Sequence, residues 1–180
     1  ALSSLCTALT FFLLMLESEK GLSILSFLFG SFNLVEWRLL MVAGPIILCG
    51  IFLLNLFGYS LNILQIGLEE SQTLGINSKK MSIILILIAS IITCSAVALA
   101  GIIGFVGLVI PHLCRLLFGN DYKHLLITSA FIGAIFLILI DDAVRTIIAP
   151  REIPIGAMTA LIGSPLFVYF LVTKRRGYDL

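Results

Sequence analysis

The chain has 180 residues, of which 60% are hydrophobic and 12% charged, and its mean hydropathy is +1.18. Soluble domains carry about 25% charged residues, so a surface wetted on all sides is excluded and the chain reads as an integral membrane protein. A net charge of +1 leaves no basic field for nucleic acid.

Ala1–Leu16 is apolar but shorter than the roughly 20 residues that a span needs. With no Met and no basic start, it reads as the tail of a first helix, and the chain as a piece of something longer. Glu17–Lys20 leaves the membrane. Leu22–Phe32, cut by Ser23, Ser26, Gly30 and Ser31, reads as a short helix lying on the surface. Asn33–Arg38 is a polar return, with Trp37 at the interface.

Leu39–Phe57 is a second span with no charge and an internal Gly44-Pro45. Glu69-Glu70 and Lys79-Lys80 bracket a polar connection whose order, anions first and cations last, suits the dipole of a short helix. Gly75 offers a place for that helix to stop. Met81–Ala100 is a third span, Gly101 and Gly104 a turn, and Phe105–Phe118 a short fourth helix. After the turn Gly119–His124, a fifth helix runs from Leu125 through Ile140 to Arg145. Ala149–Pro154 breaks it, because prolines 150 and 154 fit a helix interior only at a cost. Ile155–Val172 is the last span, closed by Lys174-Arg175-Arg176.

Orientation follows from the cations. Lys79, Lys80, Arg115, Lys123, Lys174, Arg175 and Arg176 fall on one side, and Lys20, Arg38, Arg145 and Arg151 on the other. The richer side is cytoplasmic by the positive-inside rule. The 67–80 connection and the C-terminus are then inside, and Glu17–Arg38 and Asp141–Pro154 outside.

Motifs for covalent chemistry are missing. There is no Gly-x-x-x-x-Gly-Lys-[Ser/Thr], no His-Glu-x-x-His and no Gly-x-Ser-x-Gly. Gly101, Gly104 and Gly107 lie in apolar sequence with no strand before them, and read as helix packing. His112 and Cys114 have no further ligand cluster, so no metal or cofactor is expected. Cys6, Cys49, Cys94 and Cys114 form no Cys-x-x-Cys pair and read as small buried hydrophobes. Asp141 and Arg145, four apart on one helix face, can pair. Ionisable groups in a membrane helix are functional candidates. They could serve a proton relay or the docking of an external partner, and the stiff Pro150–Pro154 segment favours docking.

Gly101-Ile-Ile-Gly-Phe-Val-Gly-Leu-Val-Ile-Pro111-His112, followed by Arg115, resembles the signature of FecCD-type permeases. These are the membrane subunits of ABC importers for iron–siderophores, haem and vitamin B12. Asp141 with Arg145, Ala149–Gly156 (with Pro154) and Thr159–Pro165 (with Gly163) resemble the rest of that signature in order and spacing. So does Gly67–Ile76 ahead of it. Asp142 is an additional acid beside the Asp-x-x-x-Arg pattern.

The resemblance implies an all-α, polytopic bundle, with about six membrane helices here out of the ten of a type II ABC importer permease. Residues 1–180 would form the C-terminal portion of one permease domain. It implies that the connection at 67–80 forms two short coupling helices seated in an ATPase subunit, with Gly67, Glu69, Glu70, Gly75 and Ile76 as contact positions. Arg145 would dock an extracytoplasmic binding protein. A second permease copy, identical or different, and membrane lipid complete the expected partners. The expected location is a bacterial cytoplasmic membrane, and ATP would be hydrolysed on a separate subunit. The alternative is a secondary transporter that uses Asp141 and Asp142 as a proton site. Secondary carriers bury such acids near the bilayer midplane, whereas Asp141 falls at a helix end.

Overall fold

The computed structural model describes residues 21–67, 71, 77–147 and 153–175. Among them are seven α-helices and no strand. They are α1 (Gly21–Leu28), α2 (Trp37–Leu56), α3 (Gly58–Leu64), α4 (Ser78–Ala100), α5 (Val106–Phe118), α6 (Tyr122–Ile147) and α7 (Ile155–Arg175), with a 3-10 turn at Phe32–Leu34 before α2. The expected first helix at 1–16 and the exit at 17–20 lie outside the described residues.

Three helices, α2, α4 and α6, are long and apolar enough to cross a membrane, and α5 and α7 add two shorter apolar segments. Only 6% of the most apolar stretch of α2 is buried inside the structure, 6% of that of α4 and 17% of that of α6. These helices therefore turn hydrocarbon outward, as a bilayer requires. Their mutual packing must come from close fit rather than from escape from water. Gly50 shows this: a Cβ there would run into Ile92, so α2 and α4 touch through a missing side chain. Cys49 and Cys94 lie on the open faces of this pair and are exposed, contrary to the expectation of burial, whereas Cys114 is fully buried.

Local chemistry sets the helix ends. Asn77 caps α4, its Oδ1 accepting the N–H of Lys80 at 3.2 Å. Lys79 and Lys80 therefore open α4 instead of closing a helix within the loop. The cap comes from asparagine because its short side chain reaches back to an amide that the helix leaves unpaired. Gly101, at φ 74, ends α4, and Gly119, at φ 88, ends α5. Between α4 and α5, Phe105 also takes a positive φ, 65, which is strained for a residue with a side chain.

The long apolar run after Trp37 is not one helix. At Phe57 (φ −88, ψ 8) it breaks, and Gly58 begins the separate helix α3. Gly58 sits where a Cβ would come within 3.1 Å of the Lys123 Cα, so α3 lies tightly against the start of α6.

Two clusters form the core. Ile110, Cys114 and Leu125 join α5 to α6, with Val106, Tyr122, Ile132 and Phe136 packed around them. Ile140, Val144 and Ile155 join α6 to α7, flanked by Phe32, Phe136 and Met158. Phe136 belongs to both, so α6 is the helix on which the other parts converge.

Candidate functional site

Helix α6 carries a polar cluster at each end. At its C-terminal end, Arg145 Nε donates to Asp141 Oδ2 at 2.9 Å, and Arg145 Nη2 donates to Asn33 Oδ1 at 2.7 Å. Asp141 is 24% exposed and Arg145 52%. A guanidinium has five donors, so the two fixed partners orient it and leave donors for an incoming acceptor. The i, i+4 pair itself is worth only about 0.3–0.5 kcal/mol. Its value is in direction: a long flexible side chain is held in one pose on the surface.

Just beside this cluster the backbones of distant segments meet. Ser31 N–H donates to Ala100 O at 2.8 Å, Ile102 N–H to Phe27 O at 3.2 Å, and Gly156 N–H to Gly30 O at 3.4 Å. Side chains are excluded at these crossings. A Cβ on Gly101 would strike the Phe27 carbonyl oxygen, and one on Gly156 the Phe29 carbonyl oxygen. Gly30 and Gly101 also take positive φ, 69 and 74, where glycine meets no Cβ penalty. The segment after α1, expected to lie on the surface, is in fact tied into the bundle here, with Gly30 and Ser31 buried. Thr159, buried in the first turn of α7, donates its hydroxyl to Gly156 O at 3.0 Å.

At the N-terminal end of α6, Asn62 of α3 reaches Asp121 and Tyr122. Its Nδ2 donates to Asp121 Oδ1 at 2.6 Å, and its Oδ1 accepts the Tyr122 N–H at 2.8 Å. Asp121 Oδ1 also accepts the Lys123 N–H at 3.0 Å, as a helix N-cap does. The Asn62 amide above all, then the Lys123 N–H, with help from the charges of His124 and Lys123, holds the Asp121 carboxyl below the ordinary aspartate value; partial desolvation opposes them. Arg115, at the end of α5, donates to the Tyr122 hydroxyl at 3.0 Å and lies over its ring, 5.4 Å from the centroid.

The 67–80 connection leaves α3 at this same end. Gly67 takes a φ of 142 and accepts the Ser71 N–H at 3.1 Å. Ser71 and Ser78 are fully buried, and their hydroxyls share a hydrogen bond, which closes the connection against the start of α4. Glu69, Glu70, Gly75 and Ile76 lie outside the described residues, as does Pro150–Glu152.

The remaining candidates scatter over the bundle. Pro111, Pro165 and Pro45 sit inside α5, α7 and α2. The His112 ring packs on Phe170 with centroids 4.6 Å apart, and no group of three metal-binding side chains occurs among the described residues. Gly163 makes room for Phe105, whose Cβ a side chain there would overlap. A Cβ at Gly104 or Gly107 would meet no described atom within 4 Å. Pro154 precedes α7 and accepts the Ala157 N–H at 3.1 Å. Asn33, Asn62, Asp121 and Tyr122 escaped sequence reasoning. An asparagine in apolar sequence beside a membrane end was the available signal for Asn62.

The sequence and fold of this chain have relatives. Residues 1–173 match the FecCD transport family. An uncharacterized ABC transporter permease protein of Bacillus subtilis, YvrB, is 42% identical over 90% of this chain and 46% of its own length. The hemin transport system permease protein HmuU of Yersinia pestis is 38% identical over 97% of this chain and 53% of its own. The cobalamin import system permease protein BtuC of Halobacterium salinarum is 36% identical over 95% and 46%. A solved structure described as an inward-facing conformation of a putative metal-chelate type ABC transporter superposes with a TM-score of 0.82 at 34% identity, over 96% of this chain and 56% of that one. The chain thus spans about half the length of the relatives it matches. With its apolar helices, its two glycine-lined crossings and the agreement over 173 residues, this chain belongs to the FecCD transport family of ABC permeases.

Proposed function

We propose that the chain is the C-terminal portion of the permease subunit of an ATP-driven importer, which moves an iron–siderophore or related metal chelate, haem or cobalamin, across a bacterial cytoplasmic membrane. The observation that carries this reading is the family match over residues 1–173. It covers α3, whose Asn62 meets the start of α6, and Arg145 near the other end of that helix. In this reading the end bearing Asn62 and Asp121 faces the cytoplasm, together with the C-terminus. Gly67, Glu69, Glu70, Gly75 and Ile76 contact a separate ATPase subunit, which alone hydrolyses ATP. Arg145 receives a carboxylate of an extracytoplasmic binding protein. Such a contact sets partner choice and encounter rate more than affinity. A second permease copy, identical or different, completes the translocation path. Gly101, Gly156 and Gly163 serve as close-packing positions, supported by the backbone and side-chain atoms that a Cβ would strike there.

A proton-coupled carrier built on Asp141 and Asp142 has less in its favour. Asp141 is ion-paired with Arg145 near the end of α6 rather than standing alone near its middle. The test is affinity purification of the full-length permease in detergent. A P-loop ATPase that co-purifies, and is lost when residues 69–80 become a Gly/Ser linker, supports the importer. Uptake that follows a proton gradient and needs no ATPase would sink it.

A further inference from the structure

Helix α6 has the makings of a rigid strut. It runs for 26 residues, about 39 Å at about 1.5 Å per residue. Unlike α2, α5 and α7 it contains no proline. One end holds the Asp141–Arg145 pair. The other end is gripped by a short helix, α3, which leads after Gln65 and Ile66 straight into the 67–80 connection.

That grip depends on one side chain. The first amides of any helix lack intrahelical partners. In α6 the Lys123 N–H is met by Asp121 of the same turn, but the Tyr122 N–H is met by Asn62 of another helix. Asn62 also donates to Asp121, so its amide uses both its acceptor and its donor on the same helix start. Gly58, one turn earlier in α3, removes the side chain that would hold α3 away from Lys123. An apolar residue at 62 would keep the contact area and lose both bonds.

We propose that Asn62 is a positioning residue for coupling: it fastens α3 to the start of α6, so that a displacement of the 67–80 connection moves α6 and the Arg145 end with it. This rests on the importer reading above, and adds to it the element and the residue that join the two partner surfaces.

The experiment uses the full-length permease in lipid nanodiscs with its ATPase subunit and binding protein. Basal ATP hydrolysis, its stimulation by substrate-loaded binding protein, and the melting temperature are measured together. For Asn62→Ala we expect basal hydrolysis to stay near wild type while stimulation falls about tenfold, the size of a typical coupling free energy between sites. The decisive variant is the exchange Asn62→Asp with Asp121→Asn. A carboxylate at position 62 still accepts from the Tyr122 N–H and can accept from an amide at 121. Because Asp121 Oδ1 takes both the Asn62 and the Lys123 bonds in the wild type, that amide must turn so that its nitrogen faces residue 62 while its oxygen keeps the Lys123 N–H. The exchange should restore stimulation.

Full stimulation in Asn62→Ala would overturn the proposal. So would an exchange variant that melts like wild type yet remains unstimulated. If Asn62→Ala does not fold, the exchange decides alone, by regaining folding and stimulation together or folding only. A wild-type protein that binds no ATPase would instead bring down the importer reading, and this inference with it.

Discussion

The two ends of the bundle are fastened by different chemistry. At the Arg145 end, beside the Arg145–Asn33 bond, segments around Gly30, Gly101 and Gly156 join backbone to backbone, with carbonyl oxygens where side chains would stand. At the Asn62 end, Gly58 lets α3 approach closely, but the hydrogen bonds across the joint come from side chains: Asn62 on Asp121 and Tyr122, and Arg115 on Tyr122. A backbone crossing has no rotamers to adjust, so it either fits or fails. A side-chain joint can loosen and re-form at a cost of about 1 kcal/mol per bond. The first kind suits a fixed frame, and the second suits a contact that must follow a moving partner.

The contrast can be broken by substitution, and the largest effect should come at the backbone crossing. Gly156→Val in the full-length protein is expected to cost about 3 kcal/mol by overpacking and to reduce the yield of folded protein sharply. An unchanged thermal melt in detergent would show that the crossing has slack. Asp121→Ala, at the other end, removes a helix cap and should lower the melting temperature by only a few degrees. Equal losses for the two variants would erase the distinction.

Arg145→Ala should change stability by less than about 0.5 kcal/mol, since its ion pair is half exposed, while slowing association of the binding protein in a surface-plasmon assay by about tenfold. An association rate equal to wild type would remove Arg145 from the docking surface.

A pH series sharpens the comparison further. The folded-state pKa of Asp121 lies below its ordinary value, so its stabilising contribution is complete above the ordinary aspartate range. It is lost as the pH falls through the lower, folded-state value. The difference in melting temperature between wild type and Asp121→Ala should therefore be steady at neutral pH and shrink in acid. A difference that grows in acid would contradict the hydrogen-bond origin of the shift. The smallest effect is expected for Gly104→Ala, where no described atom lies near the added Cβ. A large loss there would locate other helices of the full-length protein against this turn.

How much of this could be read from the sequence differs between the ends. The turn at Gly101 was legible because glycine alone breaks an apolar run so openly, and the Asp141–Arg145 pair because i, i+4 spacing is local information. The continuation of the fifth helix to Arg145 was legible for the same reason, its apolar rhythm running through Asp141. Helix α3 was not: the second span ends at Phe57 as expected, but nothing in Gly58–Leu64 announces that a separate helix begins there. Nor was the positive φ of Phe105, which is held by tertiary contact with the space that Gly163 leaves. The Asn62–Asp121 bond joins residues 59 apart, and no local pattern encodes a partner at that distance. The role of Lys79 and Lys80 was misjudged because the cap at Asn77, not the charge order, decided where a helix begins.

The crossing of Gly30 with Gly156 also has a consequence in time. These residues leave the ribosome well over a hundred positions apart, which at about 5–20 residues per second is on the order of ten seconds of synthesis. Until the start of α7 arrives, the Gly30 carbonyl lacks its Gly156 partner. The frame at this end is therefore closed only when α7 emerges, and a nascent chain halted before that point would present the insertion and quality-control machinery with an open seam.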